Sequence, residues 1–242
     1  MSGETDLTPP ERTGLDEAHT ITSAGIAAIP FVGGSVVEIF KAVLATPLEQ
    51  RTHQWMENIV AAIKELQKAD ANIFSRIQNS QEFQSVLLQA SWAAVRNHQI
   101  EKLTALQNAV LNSAHGSKAS EDLQLLFIRY VDELTPTHLL VMSFFVKCET
   151  EVANLDSYQE MFDAFSKVVK HKADALFFKL ACDDLRARNL VRISADFKEF
   201  PGLYEETSLG INKPSKNPKV IVTDFGRAFI EFVLTNPLGT GK

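Results

Sequence analysis

The hydrophobic residues of this chain recur mainly every three or four positions, which is the period of an amphipathic helix. Met56, Ile59, Ile63 and Leu66 form one such series, and similar series follow along most of the chain. Residues that favour helix N-termini stand before many of these runs, and Gly116 follows one as a helix stop. The sequence therefore predicts helices over 46–67, 70–77, 83–96, 100–115, 120–134 and 173–189, with further helices beginning at 135, 157 and 224.

One stretch near the N-terminus is apolar and uncharged. Residues 20–37 contain no Asp, Glu, Lys or Arg. Pro30 lacks a backbone donor and Gly33 and Gly34 weaken a helix, so we predict a hinge at these three residues. The stretch and the residues after it then form an apolar hairpin of two short helices, at 20–29 and 34–45. Its candidate membrane-inserting side chains are Ile26, Ile29, Phe31, Val32, Val36, Val37, Ile39 and Phe40.

This hairpin has three interpretations. A bilayer-spanning helix needs about 20 apolar residues, and the run is at that limit and interrupted, so a permanent anchor is the least favoured. Small residues such as Gly25 and Ala28 let helices approach closely in lipid, which suits conditional insertion. The same composition suits a hairpin buried in a soluble helical domain. The sequence leaves the last two interpretations open.

The hydrophobic period changes to two near the C-terminus. Residues 190–193 and 219–222 have the alternation of strands, and a long loop over 194–218 joins them. Together with the neighbouring helices, they give the order helix, helix, helix, strand, loop, strand, helix. That is the order of a winged-helix module with an enlarged wing.

The predicted fold class is mainly α: a helical bundle with an N-terminal apolar helical hairpin, followed by a winged-helix-like domain with a small β-hairpin. The predicted divisions are a flexible leader (1–19), the hairpin plus bundle (20–134), the winged-helix-like domain (135–235) and a disordered tail (236–242).

Composition narrows the function classes. The net charge of −6 argues against a general nucleic-acid binder, because such binding rests on neutralising phosphates. Two cysteines indicate no disulfide framework, and no basic segment precedes the apolar run as in a signal peptide. We therefore predict a cytoplasmic protein, with the inner membrane as a candidate peripheral site.

The residue patterns do not predict an enzyme. The six histidines are scattered without the spacing of a zinc site. The tail Gly239–Lys242 imitates part of a phosphate-binding loop but lacks its strand and helix. Asp183 and Asp184 with Asp196 and Lys198 resemble a nuclease metal site only faintly, and pairing along the helix explains the first two better. We predict no catalytic residue, no metal ligand and no cofactor.

Cations near the C-terminus are candidate phosphate or partner contacts. The wing carries lysines without acids, whereas the recognition-helix candidate mixes acids with its arginines. Winged helices also dock proteins, so docking or a scaffold role is favoured over DNA binding. The candidate contacts are Arg186, Arg188, Arg192, Lys213, Lys216 and Lys219.

Several segments carry a family resemblance. EKLTALQNAVLNSA (101–114) and EDLQLLFIRYVDELTPTHLLVMSFF (121–145) are similar to a group of uncharacterised bacterial proteins. DLRARNLVRI (184–193) and VIVTDFGRAFIEFV (220–233) resemble the end of the abortive-infection alpha family, and IPFVGG (29–34) ahead of PLEQR (47–51) belongs to the same pattern. The resemblance spans most of 25–235, rests on structural motifs, and implies a role in phage defence.

The leading hypothesis is a non-enzymatic phage-defence effector or regulator. Residues 20–45 would stay packed in a resting state and be released to a membrane by a trigger. The expected partners are a second copy of the chain and another protein, with a membrane and a nucleic acid as further candidates. A winged-helix DNA-binding regulator and a soluble protein-interaction scaffold are the alternatives.

Overall fold

The structure, a computed structural model, describes residues 46–170, 174–194, 197–198, 200 and 219–239. The predicted leader and apolar hairpin, with its hinge and its membrane-inserting side chains, lie outside these residues, as do Lys213 and Lys216. The chain divides into two compact units, residues 1–54 and 55–242. In the described part of the first unit, Thr52 Oγ1 donates a hydrogen bond to the carbonyl oxygen of Leu48 at 2.8 Å, within one helix.

The described residues are mainly helical, as predicted, and form ten helices and two short strands. The helices are α1 (Thr46–Ala69), α2 (Ile73–Gln78), α3 (Gln81–Arg96), α4 (Ile100–His115), α5 (Glu121–Glu133), α6 (Pro136–Lys147), α7 (Glu149–Val152), α8 (Tyr158–Val168), α9 (Ala175–Ala187) and α10 (Asp224–Val233); the strands are β1 (Val191–Ile193) and β2 (Val220–Val222).

Local capping chemistry sets many of the helix ends. The Ser80 hydroxyl accepts from the Phe83 backbone N–H at 3.1 Å, and that of Ser157 accepts from Glu160 N–H at 3.2 Å. Gly116 ends α4 with φ of 99°, the left-handed conformation that glycine adopts without strain. Asn189 has φ of 58° after α9, and Asn tolerates this region better than most residues. The predicted stops at Gly116 and Asn189 and the predicted start at residue 157 are confirmed.

The buried face of α1 differs from the prediction by one position. Ile59, Ile63 and Leu66 are buried, but Met56 is 42% exposed and Trp55 is buried in its place. The indole Nε1 of Trp55 donates to Ser91 Oγ at 2.9 Å. Burying the larger ring against α3, where its N–H has a partner, shifts the helix face away from Met56.

The last helix packs against the predicted first domain. Phe127 on α5 lies 5.3, 5.4 and 6.0 Å, between ring centroids, from Phe225, Phe229 and Phe232 of α10. Asn108 on α4 donates to the carbonyl oxygen of Val233 at 3.1 Å, within the buried core. A continuous hydrophobic core therefore runs through residues on both sides of position 134. The division at 134 stays a prediction.

The two strands form a small antiparallel sheet, as predicted. Val191 pairs with Val222, Arg192 with Ile221 and Ile193 with Val220. The chain before α8 pairs with residues that follow β1, because Ser157 forms an isolated parallel bridge with Lys198. Lys219 N–H also donates to the carbonyl oxygen of Ala153 at 3.4 Å.

Candidate functional site

The outer face of α9 exposes three large apolar side chains. Leu176, Phe177 and Leu180 are 46%, 38% and 53% exposed. The helix itself is held firmly, since Asp174 caps it through Leu176 N–H at 2.6 Å. On its inner face Phe178 lies 5.0 Å from the ring centroid of Phe165 on α8. An apolar face on a well-anchored helix is suited to binding another apolar surface.

The predicted cationic contacts on α9 are engaged with carboxylates. Arg188 Nε lies 3.1 Å from Asp184 Oδ1, and its NH1 lies 2.8 Å from Glu133 Oε2 on α5. Its guanidinium also lies 4.9 Å from the ring centroid of Tyr130. Burial lowers the pKa of Arg188, but the hydrogen bonds and charges of Glu133 and Asp184 outweigh it and raise the pKa. Arg188 therefore serves to join α9 to α5.

The other predicted cations are dispersed. Arg186 NH2 lies 3.7 Å from Asp183 Oδ1 on the same helix, and Lys219 Nζ lies 2.8 Å from Asp156 Oδ1. Arg192 is exposed on β1. Arg186 and Arg188 both lie near the C-terminal end of α9 but pair with different carboxylates, while Arg192 lies on β1 and Lys219 directly precedes β2.

A buried polar cluster joins α8 to α9. The Tyr158 hydroxyl donates to Asp183 Oδ1 at 3.0 Å, and Lys179 Nζ lies 2.6 Å from Asp183 Oδ2. Lys179 also lies 4.9 Å from the centroid of the Tyr158 ring. Burial and the neighbouring Asp183 raise the pKa of Tyr158, and burial raises that of Cys182, so both groups stay neutral. Asp183 is thus committed to this cluster.

Sequence reasoning missed a Thr–His–Asp chain where α6 begins. Thr135 Oγ1 lies 2.8 Å from His138 Nδ1, and His138 Nε2 lies 3.4 Å from Asp184 Oδ2 on α9. Nδ1 also accepts the Thr135 backbone N–H at 3.2 Å, so the imidazole acts in the helix cap. Its sequence signal is the run Thr135-Pro136-Thr137-His138, in which histidine occupies the third helical position, where a capping box has Glu or Gln.

A groove of about 470 Å³ lies between α3 and α5. Leu88, Trp92 and Leu125 supply its apolar surface. Arg96 and Asp132 border it and form an ion pair at 2.6 Å. The groove combines an apolar centre with charges that are already paired.

Metal binding, membrane spanning and similarity to known proteins each bear on the function of this chain. Among the described residues no group of three or more His, Cys, Asp or Glu side chains is placed to hold a metal ion. No helix in that part of the chain has the length and apolarity to span a membrane. Neither a family model, nor a curated protein, nor a solved structure matches this chain.

Proposed function

We propose that this chain is a non-enzymatic interaction protein that docks a protein partner on the exposed face of α9. In the setting to which its family resemblance points, it acts as a phage-defence effector or regulator. The exposure of Leu176, Phe177 and Leu180 carries the proposal, because large apolar side chains on one helix face gain most from contact with another protein.

The charges of α9 favour a protein partner over DNA. DNA affinity rests on cations that contact phosphates and release counterions. Arg186 and Arg188 instead pair with Asp183, Asp184 and Glu133, and a phosphate must compete with these carboxylates. The exposed apolar side chains of the same helix, Leu176, Phe177 and Leu180, cannot form favourable contacts with phosphate.

Several titratable side chains of α6, α8 and α9 contact one another within the fold. Tyr158, Lys179 and Asp183 contact one another, and His138 on α6 lies 3.4 Å from Asp184 on α9. These contacts hold α6, α8 and α9 together, which supports a docking scaffold. We infer a winged-helix-like arrangement for this region, supported by the order of α6, α8, α9, β1 and β2 and by the bridge between Ser157 and Lys198.

Site-specific photocrosslinking tests the docking face. A photoreactive residue replaces Leu180 in the full chain, expressed in bacterial cells with and without phage. The matched control replaces exposed Gln159 on α8. We expect a discrete crosslinked product at position 180 alone, and the partner identified in it should bind Leu180→Glu at least about tenfold more weakly, since a charge is desolvated there. Identical products at both positions, or none at 180, would refute the proposal.

The uncharged run supports a second candidate, membrane perturbation by residues 20–45. Residues 20–37 carry no charge, and a trigger would have to bind the released state better than the resting state. Liposome leakage is measured for the full chain and for the variant with Ile29→Asp and Val36→Asp. If the variant no longer causes leakage, the result supports membrane insertion. Equal leakage from both proteins, or no leakage from either protein, would refute insertion.

Binding to DNA is the alternative to test against docking. A mobility-shift titration at several salt concentrations compares the full chain with the variant carrying Lys213→Glu, Lys216→Glu and Lys219→Glu. Binding that weakens steeply with salt and disappears in the variant would favour the DNA-binding regulator. We expect no such shift.

A further inference from the structure

The start of α6 contains an unusual helix cap. In a capping box, a Glu or Gln side chain three residues into the helix accepts the backbone N–H of the N-cap residue. Here the N-cap is Thr135, and the acceptor is His138 Nδ1, 3.2 Å from Thr135 N. Glu and Gln keep an acceptor at neutral and mildly acidic pH, whereas an imidazole nitrogen loses its acceptor when it is protonated.

The heavy atoms fix the tautomer that this cap requires. Nδ1 faces a backbone N–H, which cannot reverse its direction, and it also lies 2.8 Å from Thr135 Oγ1. Nδ1 is therefore unprotonated whenever it accepts the Thr135 N–H. The ring proton of neutral His138 is then on Nε2, 3.4 Å from Asp184 Oδ2. Protonation would set Nδ1–H against the Thr135 N–H.

The groups around His138 come from three other elements. Asp184 on α9 favours the protonated ring, while Arg188, which follows α9 directly, and Lys102 on α4 oppose it. Arg188 also binds Glu133 on α5, which moderates its charge. Burial opposes protonation most strongly, because the side chain of His138 is 9% exposed, and the balance lowers the pKa of His138 below 6.5.

The ring also contacts the docking face. His138 lies edge-on to Phe177, with 6.1 Å between the ring centroids. Phe177 is one of the three exposed apolar residues of α9. A ring that turns away from Thr135 therefore changes the surroundings of Phe177 and Asp184 together.

We propose that His138 is a pH-sensitive latch in the cap of α6, which closes while the imidazole is neutral and opens when the ring is protonated. Opening releases Thr135 N–H from its acceptor and loosens the start of α6. The latch itself is independent of the docking function proposed above; only its effect on a partner rests on that function.

Two variants of the full chain separate the latch from general acid sensitivity. His138→Gln keeps an acceptor at the third helical position and cannot titrate. His98→Gln removes an exposed histidine and serves as the control. Amide hydrogen exchange is followed at pH 7.5 and 5.5, and each rate is divided by the intrinsic exchange rate at that pH.

We expect protection of the Thr135 amide to fall by the same factor between pH 7.5 and 5.5 in the wild type and in His98→Gln, and to stay constant in His138→Gln. Equal losses in all three proteins would overturn the latch. The wild type also provides a test without substitution, by ring nitrogen NMR. Neutral His138 should carry its proton on Nε2 and titrate below pH 6.5, and an Nδ1–H tautomer would overturn the proposal even if His138→Gln failed to fold.

Discussion

Single residues in this chain are placed by very close contacts, and Gly226 on α10 is the clearest. A Cβ built on Gly226 would lie 2.0 Å from the carbonyl oxygen of Leu190 and 3.0 Å from a methyl carbon of Val222. The N-terminus of α10 therefore approaches the backbone before β1 as closely as a glycine allows. The Thr223 hydroxyl secures this approach by accepting from Gly226 N–H at 2.9 Å.

Replacing Gly226 by Ala reverses the usual effect of that substitution. In an unhindered helix, Ala is about 1 kcal/mol more favourable than Gly. Here the methyl group meets backbone, so we expect a net loss of about 1–3 kcal/mol in the free energy of unfolding. Guanidinium unfolding measures it, with Glu231→Ala on the exposed side of α10 as a control that stays within about 0.5 kcal/mol. A stabilised Gly226→Ala would contradict the close approach.

The lowered pKa of His138 predicts that the folded state loses stability as the pH falls. Burial lowers its folded-state pKa below the ordinary value of 6.5, so between these two pKa values the unfolded chain binds more protons. The stabilisation is complete above about pH 6.5 and is lost as the pH falls toward the folded-state pKa. Urea unfolding at pH 7.5 and 5.5 should show a smaller decrease in stability for His138→Gln than for the wild type; an equal decrease would assign the pH dependence to other groups.

Pairs of elements are joined by polar contacts as well as by the core. The contact between α8 and α9 combines the Phe165–Phe178 pair with the Tyr158–Asp183 hydrogen bond. An acceptor that carries a charge makes this bond stronger than an average one. Removing the Tyr158 hydroxyl also leaves Asp183 Oδ1 without this hydrogen-bond donor.

Removing the Tyr158 hydroxyl tests the strength of this joint. We expect Tyr158→Phe to lose about 1.5–3 kcal/mol, the range for a hydrogen bond to a charged group. Tyr130→Phe is the control, because it removes the hydroxyl of a half-buried tyrosine whose ring lies against Phe225 and Phe229. Thermal or denaturant unfolding compares the two. Equal losses of unfolding free energy in the two variants would mean that the Tyr158–Asp183 hydrogen bond does not stabilise the fold.

The elements show what a sequence can predict. Caps at Ser80, Ser157 and Thr223 involve only residues within one turn, and their positions were predictable for that reason. The buried face of α1 depends on Ser91, a partner on another helix, so Met56 and Trp55 could not be distinguished by spacing. Helix ends are local chemistry, while the exact choice of face is a tertiary property.

The candidate site was less predictable for the same reason. The arginines of α9 were identified, but the pairing of Arg188 with Glu133 needs α5 to lie beside α9. The role of His138 depends on Asp184, which reaches it from another helix. The Thr135-Pro136 helix start is predictable from the sequence, and His138 at the third helical position is a local signal of the cap, but its contact with Asp184 is a tertiary one.

At the scale of residues 55–242, the core crosses the predicted division at 134. The α10 helix follows the sheet in the chain but packs its phenylalanines on α5, and α4 bonds the end of α10 through Asn108. Two segments that share a core at this depth should unfold together. Two independent domains would give separate transitions.

Phe229 is the residue with which to test this cooperativity, because it is fully buried and contacts Phe127 across the division. We expect Phe229→Ala to lose about 3–5 kcal/mol, and Phe74→Ala, at a 41% exposed position, to lose far less. Fluorescence of Trp55 and Trp92 reports the part before residue 134, and hydrogen exchange of α8 and α9 amides reports the part after it. Both probes should shift by the same free energy in Phe229→Ala, since removing a side chain from a shared core destabilises everything that unfolds with it. If only the α8 and α9 amides shifted, the two parts would unfold independently, and a domain boundary at residue 134 would be supported.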